Sequence, residues 1–163
     1  MFRAGMWGAR GSNQFGNQPK SPYNSRIERF SKFTYLTIEH TMQSTHSVLV
    51  ADDEAATRMI VASQLTEAGF TVVEAEDGEQ AIQHLKKQKF EVALLDIKMP
   101  NVDGIEVLKY IRQHVPETKT IILTGFADLE LAMEAMELGA IDFFNKPFSI
   151  DEVIASVKQA VSW

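Results

Sequence analysis

The chain has 163 residues, 45% of them hydrophobic and 23% charged, with no cysteine and a net charge of −6. That is the make-up of a globular protein with room for one domain. It excludes a disulfide framework and a thiolate metal site, and with no apolar run near the roughly 18 residues of a membrane span, a cytoplasmic protein without a membrane partner is expected.

The charge is uneven. Residues 1–41 carry six Lys/Arg against two Glu, while residues 42–163 carry ten against twenty. An acidic body argues against direct nucleic-acid binding by the folded part.

Residues 1–25 are rich in Gly, Asn, Gln, Ser and Pro and have no hydrophobic period. Residues 27–39 scatter aromatics in a pattern that suits neither strand nor helix. A disordered or weakly ordered extension is therefore expected over 1–45, followed by one ordered domain over 46–162. The extension reads either as a basic arm for a partner, with some look of a transit peptide, or as residues upstream of a physiological start at Met42. The intact mass of the native protein separates these readings.

From Ser47 the pattern is regular. SVLVA (47–51) is a short apolar run ending in Asp52, Asp53 and Glu54. Val61, Leu65 and Ala68 then recur at helical spacing up to Gly69. FTVVEA (70–75) reads as a strand, and Ala81, Ile82 and Leu85 as a helix capped by Asp77. Phe90–Leu95 is a buried strand running into Asp96. Gly104 opens a helix with Ile105, Leu108, Ile111 and Val115 inward, closed by Pro116. Residues 118–124 form a strand, Asp128–Leu138 a helix, 140–145 a strand, and Ile150, Val153, Val157, Ala160 and Val161 line a last helix. Five strands alternating with five helices through short connections predict a parallel, doubly wound α/β sheet.

The strand ends carry the chemistry. The first strand runs into Asp52 and Asp53, the third into Asp96, the fourth ends at Thr124 and the fifth leads to Lys146. A parallel sheet gathers these at one edge, where open α/β sheets place their ligands. Three carboxylates there repel one another, and Lys146 offsets only one charge. Oxygen donors without nearby His or Cys suit Mg²⁺, or Mn²⁺, better than zinc. With such an ion, a carboxylate is able to act as nucleophile toward a phosphoryl group, stabilised by Lys146 and the Thr124 hydroxyl. The histidines His40, His46, His84 and His114 have no partners at ligand spacing and read as surface or loop residues.

DDE at 52–54, LLDIKMPNVDG at 94–104, ILTG at 122–125 and FFNKPF at 143–148 resemble the receiver domain of two-component response regulators, over residues 46–162. The resemblance implies a flavodoxin-like sheet of order 2-1-3-4-5. It implies that Asp96 accepts a phosphoryl group from a phosphohistidine on a sensor kinase or phosphotransfer protein. It also implies that Asp52, Asp53, Asp96 and the Lys98 carbonyl hold Mg²⁺, that Lys146 contacts the phosphoryl oxygens before a cis bond to Pro147, and that Thr124 and Phe143 switch together. Such a domain assists its own phosphorylation and dephosphorylation without being an enzyme in the ordinary sense.

Two surfaces carry further expectations. In the 128–138 helix, Leu129, Ala132, Met133 and Met136 form one stripe, expected inward, and Leu131, Ala135 and Leu138 a second. Leu131 and Leu138 are the candidates for a partner or phosphorylation-dependent dimer surface. Lys98 and Phe126 are expected to rim the cleft and hinder a hydrolytic water, giving a long-lived phosphoaspartate. Alternatives are a receiver cut from a longer transcriptional regulator or a phosphatase with an Asp nucleophile. The second lacks an acid where Lys98 stands.

Overall fold

The computed structural model describes residues 46–125 and 129–162, without the side chain of Leu129. Five strands, β1 (Ser47–Ala51), β2 (Thr71–Ala75), β3 (Val92–Leu95), β4 (Lys119–Thr124) and β5 (Ala140–Asn145), form one parallel sheet in the order β2-β1-β3-β4-β5. The helices are α1 (Ala55–Glu67), α2 (Gly78–Lys87), α3 (Gly104–His114), α4 (Leu129–Glu137) and α5 (Ile150–Val161).

Alternation along the strands divides the core in two. Leu49, Ala51, Ala93, Leu95 and Ile122 face a layer that includes Ala81, Leu85, Leu108 and Ile111, beneath α2, α3 and α4. Val48, Val50, Val92, Leu94, Ile121 and Leu123 face Val61, Leu65, Val153 and Val157 beneath α1 and α5. A strand buried on both faces reads as a continuous apolar run, which is why VALL carries no polar residue. The edge strands β2 and β5 are less covered and admit Glu74 and Asp142.

Local chemistry sets the helix starts. Asp77 accepts a hydrogen bond from the Gln80 amide at 2.7 Å and caps α2 as expected. Asp103 and Glu106 close a reciprocal capping box at the start of α3, at 2.8 and 3.2 Å. Gly69 ends α1 at φ +98°, a conformation costly for a residue with a Cβ.

The strand bounds are tighter than the hydrophobic runs suggest. Phe90 is buried yet outside β3, whose ladder pairs begin at Val92, opposite Val48 of β1 and Lys119 of β4. Its carbonyl instead accepts the Thr118 hydroxyl at 2.9 Å. Phe70 is likewise buried, with its amide donating to the Leu65 carbonyl rather than to a strand.

The two stripes of α4 are exchanged relative to expectation. Ala135 is fully buried, and Leu131 and Leu138 are half-buried against the core. Met133 and Met136, expected inward, are 56% and 48% exposed. Both stripes have helical spacing and similar hydrophobicity, so periodicity alone does not choose between them. The smaller Ala135 permits close approach to the sheet.

Candidate functional site

The carboxyl edge is assembled from the ends of four strands, β1, β3, β4 and β5. Carboxylate oxygens of Asp52, Asp53 and Asp96 all lie within 4.8 Å of one another. Asp52 and Asp96 are buried and Asp53 is exposed. The Lys146 ammonium donates to Asp52 Oδ2 at 2.6 Å and to Asp96 Oδ2 at 2.9 Å. Its own amide donates to the Thr124 carbonyl at 2.7 Å, fixing the start of the β5–α5 turn beside β4. The peptide between Lys146 and Pro147 is cis.

Each buried carboxylate is held by backbone as well. Asp52 Oδ1 accepts the Glu54 amide at 2.8 Å, and Asp96 Oδ1 the Lys98 amide at 3.2 Å. Asp53 differs: among the described residues its carboxylate has no hydrogen-bond partner.

The electrostatics follow from one cation serving two anions. Burial raises the Asp52 pKa; the Lys146 and Glu54 hydrogen bonds pull the other way, and the charge of Asp96 adds to the rise. Burial also works against the Lys146 ammonium, but hydrogen bonds to Asp52 and Asp96 outweigh it and raise its pKa. A simple ion pair would lower the acid and raise the base. Both shift upward here because burial, the largest influence on Asp52, outweighs the ammonium that it shares with Asp96, with the Asp96 charge a smaller contribution. All three carboxylates present hard oxygen donors, and the Asp53 oxygens are uncommitted among the described residues, so the set fits Mg²⁺.

The remaining expected residues lie at varying depth. Thr124 is buried, and Lys98 is exposed at the rim. Phe143 is half-buried and packs against the core beneath α2, α3 and α4. Leu131 and Leu138 lie on that same packed face rather than on an open one. Phe126 and Asp128 fall outside the described residues. Of the histidines, His46 and His84 are half-buried, while exposed His114 stacks on Tyr110 with ring centroids 4.3 Å apart.

Sequence reasoning missed two supports. A Cβ on Gly104 would meet the Asp96 carbonyl oxygen at 2.1 Å, and one on Gly78 the Val102 carbonyl oxygen at 2.2 Å. Both glycines let helix starts press against the loop that carries Asp96, and the D-G pairs before these helices were the available signal. Asn101, at φ +66°, turns the loop that runs from Asp96 to Gly104. A cleft of about 700 Å³ opens beside Lys146, bounded by Thr57, Ile60 and Val61 of α1 and by Gly125, Pro147 and Phe148.

A doubly wound sheet with an acidic trio and a bridging lysine at its carboxyl edge defines a class of phosphorylation-controlled domains. The chain belongs to the response regulator receiver domain family, which it matches over residues 48–158. It is similar to the DNA-binding transcriptional regulator NtrC of Escherichia coli (strain K12), at 39% identity over 115 residues, 71% of this chain and 24% of that protein. It therefore spans about a quarter of that relative's length. Sporulation initiation phosphotransferase F of Bacillus subtilis (strain 168) is 35% identical over 69% of this chain and 90% of that protein. Among solved structures, the Francisella response regulator 1452 receiver domain superposes with TM-score 0.67 and 34% identity, covering 71% of this chain and 96% of that one. The response regulator protein TrrA from Thermotoga maritima, in complex with Mg(2+)-BeF, gives TM-score 0.65 and 30% identity over 71% and 99%. No helix among the described residues is long and apolar enough to cross a membrane.

Proposed function

We propose that Asp96 is the phosphoacceptor and that this chain receives a phosphoryl group from a phosphohistidine on a sensor kinase or phosphotransfer protein. The observation that carries this is the Lys146 ammonium between the buried Asp52 and Asp96 carboxylates, at 2.6 and 2.9 Å. An Asp96 oxygen forms the new P–O bond as the donor's P–N bond breaks, and the imidazole nitrogen leaves with that electron pair. Lys146, already beside Asp96, offsets charge on the phosphoryl oxygens, and the Thr124 hydroxyl donates to them.

Asp52, Asp53 and Asp96, with the Lys98 carbonyl, are the residues that would hold Mg²⁺. When bound, that ion supplies charge neutralisation and orients the phosphoryl oxygens. The donor approaches over the cleft beside Lys146, where Ile60, 60% exposed, offers apolar contact to the partner. Phosphorylation alters the partners of Lys146 and Thr124, and Phe143 carries the change toward α4 and β5, where a downstream protein or a second copy reads it. Lys98 at the rim slows hydrolysis, giving a long-lived phosphoaspartate in a cytoplasmic protein.

The NtrC likeness supports a second reading of the whole protein, a receiver attached to a transcriptional output module. The reading frame beyond Trp163 decides between that and a phosphorelay intermediate. For the site itself, the test is incubation with Mg²⁺ and a small acyl phosphate, read by intact mass. One phosphoryl group per chain is expected, absent in Asp96→Asn and in the presence of a chelator. Full labelling of Asp96→Asn sinks the assignment.

A further inference from the structure

We infer that Arg58 is a positioning residue for the cation site: it fixes the peptide joining Asp52 to Asp53 and so aims the Asp53 carboxylate. The inference rests on the reading of that acidic trio as the Mg²⁺ site.

Arg58 lies in the first turn of α1, and its side chain turns back toward the sheet. Nη1 donates to the Asp52 carbonyl at 2.6 Å, while Nε lies 3.4 Å from the Glu74 carboxylate on β2. The side chain is only 14% exposed. A guanidinium so covered is stable only with its donors engaged, and its planar fork spans two acceptors that an ammonium would not hold together. Arg58 thereby links β2, the end of β1 and the start of α1 at one peptide.

Among the described residues, that peptide is otherwise fixed only from the Asp52 side. The Asp52 amide donates to the Ala75 carbonyl at 3.2 Å, Oδ1 accepts from Glu54 and Oδ2 from Lys146. With the carbonyl held by Arg58, every polar atom of Asp52 is engaged. Asp53 then leaves from a peptide plane that does not swivel. Nothing else aims it, since its carboxylate is exposed and has no partner among the described residues. Orientation of a ligand by groups behind it is a general requirement of metal sites.

Simple electrostatics predicts the opposite of this inference, which makes the test sharp. Removing a cation near three carboxylates should strengthen Mg²⁺ binding, whereas loss of positioning weakens it. The experiment uses the full chain as Arg58→Met, with Mg²⁺ affinity read by titration calorimetry without a phosphoryl donor and folding read by circular dichroism. Affinity is expected to fall about tenfold, and labelling by acyl phosphate to recover its maximal rate at raised Mg²⁺. A folded variant with wild-type or tighter Mg²⁺ binding overturns the inference and leaves Arg58 a mere staple of α1. Should Arg58→Met fail to fold, Arg58→Lys decides: several-fold weaker binding supports the inference, and unchanged binding overturns it. Asp96→Asn labelling is independent of this readout, so failure of the phosphoacceptor reading and failure of the Arg58 role are distinguishable.

Discussion

The two halves of the sheet are built to different standards. In the half holding β2, β1 and β3, the edge strand β2 is only partly covered, but the central residues Val48–Ala51 and Val92–Leu95 are at most 1% exposed, and Asp52 has every polar atom engaged. In the half holding β4 and β5, β4 is buried as well and β5 is partly covered like β2, but Phe143 is only half-buried against the core and α4 turns two methionines outward. The carboxylates come from the first half, and Thr124 and Lys146 from the second. Lys146 is thus a direct contact through which charge on Asp96 reaches the looser side. A receiver needs both: a rigid place for the phosphoryl group, and a less constrained element whose equilibrium the added charge is able to shift.

The most severe test of the rigid half is Gly104→Ala. Its new methyl would stand 2.1 Å from the Asp96 carbonyl oxygen and 2.9 Å from Ile97 Cα, both backbone. Neither yields without moving the acceptor loop, so a loss of about 3 kcal/mol is expected, measured by urea denaturation. An unchanged midpoint would show that the loop around Asp96 gives way easily, and the contrast between the halves would fail.

On the looser side the expected effects divide by stripe. Leu131→Ser together with Leu138→Ser introduces hydroxyls against the core and should cost about 2–4 kcal/mol. Met133→Ser together with Met136→Ser should stay within about 0.5 kcal/mol of wild type while weakening capture of a downstream partner by the phosphorylated form. Equal stability losses in the two double variants would mean that α4 has no open face.

This helix also marks the limit of what the sequence makes legible. The order of strands and helices, the Asp77 cap and the gathering of Asp52, Asp53, Asp96, Thr124 and Lys146 at one edge all follow from alternation and from the parallel topology. Each is a property of single segments or of strand ends, and the edge residues were further marked by resemblance. Which stripe of α4 faces inward depends on the fit of Ala135 against the sheet, a tertiary quantity. The roles of Arg58 and Gly104 depend on approach between segments distant in space, for which hydrophobic period carries no signal. Likewise, Phe90 has the pattern of a strand residue but lacks a neighbour to pair with.

A milder perturbation examines the seam between β5 and α5. Asp142 accepts the Phe143 amide at 2.9 Å and the Ser156 hydroxyl at 2.6 Å, next to a register shift in the β4–β5 ladder. Ser156→Ala removes one of these bonds and should cost about 1 kcal/mol in thermal denaturation. If phosphorylation moves Phe143, the variant should also alter partner affinity of the phosphorylated form. A change confined to stability would limit the Asp142–Ser156 contact to holding α5 in place.

The smallest expected effect has an informative sign. Asp52 has a folded pKa above its unfolded value of 3.8, chiefly through burial. Its contribution to stability is therefore fully present below pH 3.8 and is lost as pH rises through the folded value. Lys146 behaves differently at neutral pH: its pKa is raised above 10.5, so its contribution is intact there and is lost only as pH rises through that higher value. In metal-free buffer at pH 7, Asp52→Asn should accordingly raise the denaturation midpoint slightly, and the advantage should vanish below about pH 4. Added Mg²⁺ should invert the order, because a ligand at a hundredfold its Kd stabilises the wild type by about 2.7 kcal/mol and the variant by much less. An Asp52→Asn protein less stable than wild type without metal would mean that the Lys146 bond outweighs burial, and that the acidic edge is self-sufficient without a cation.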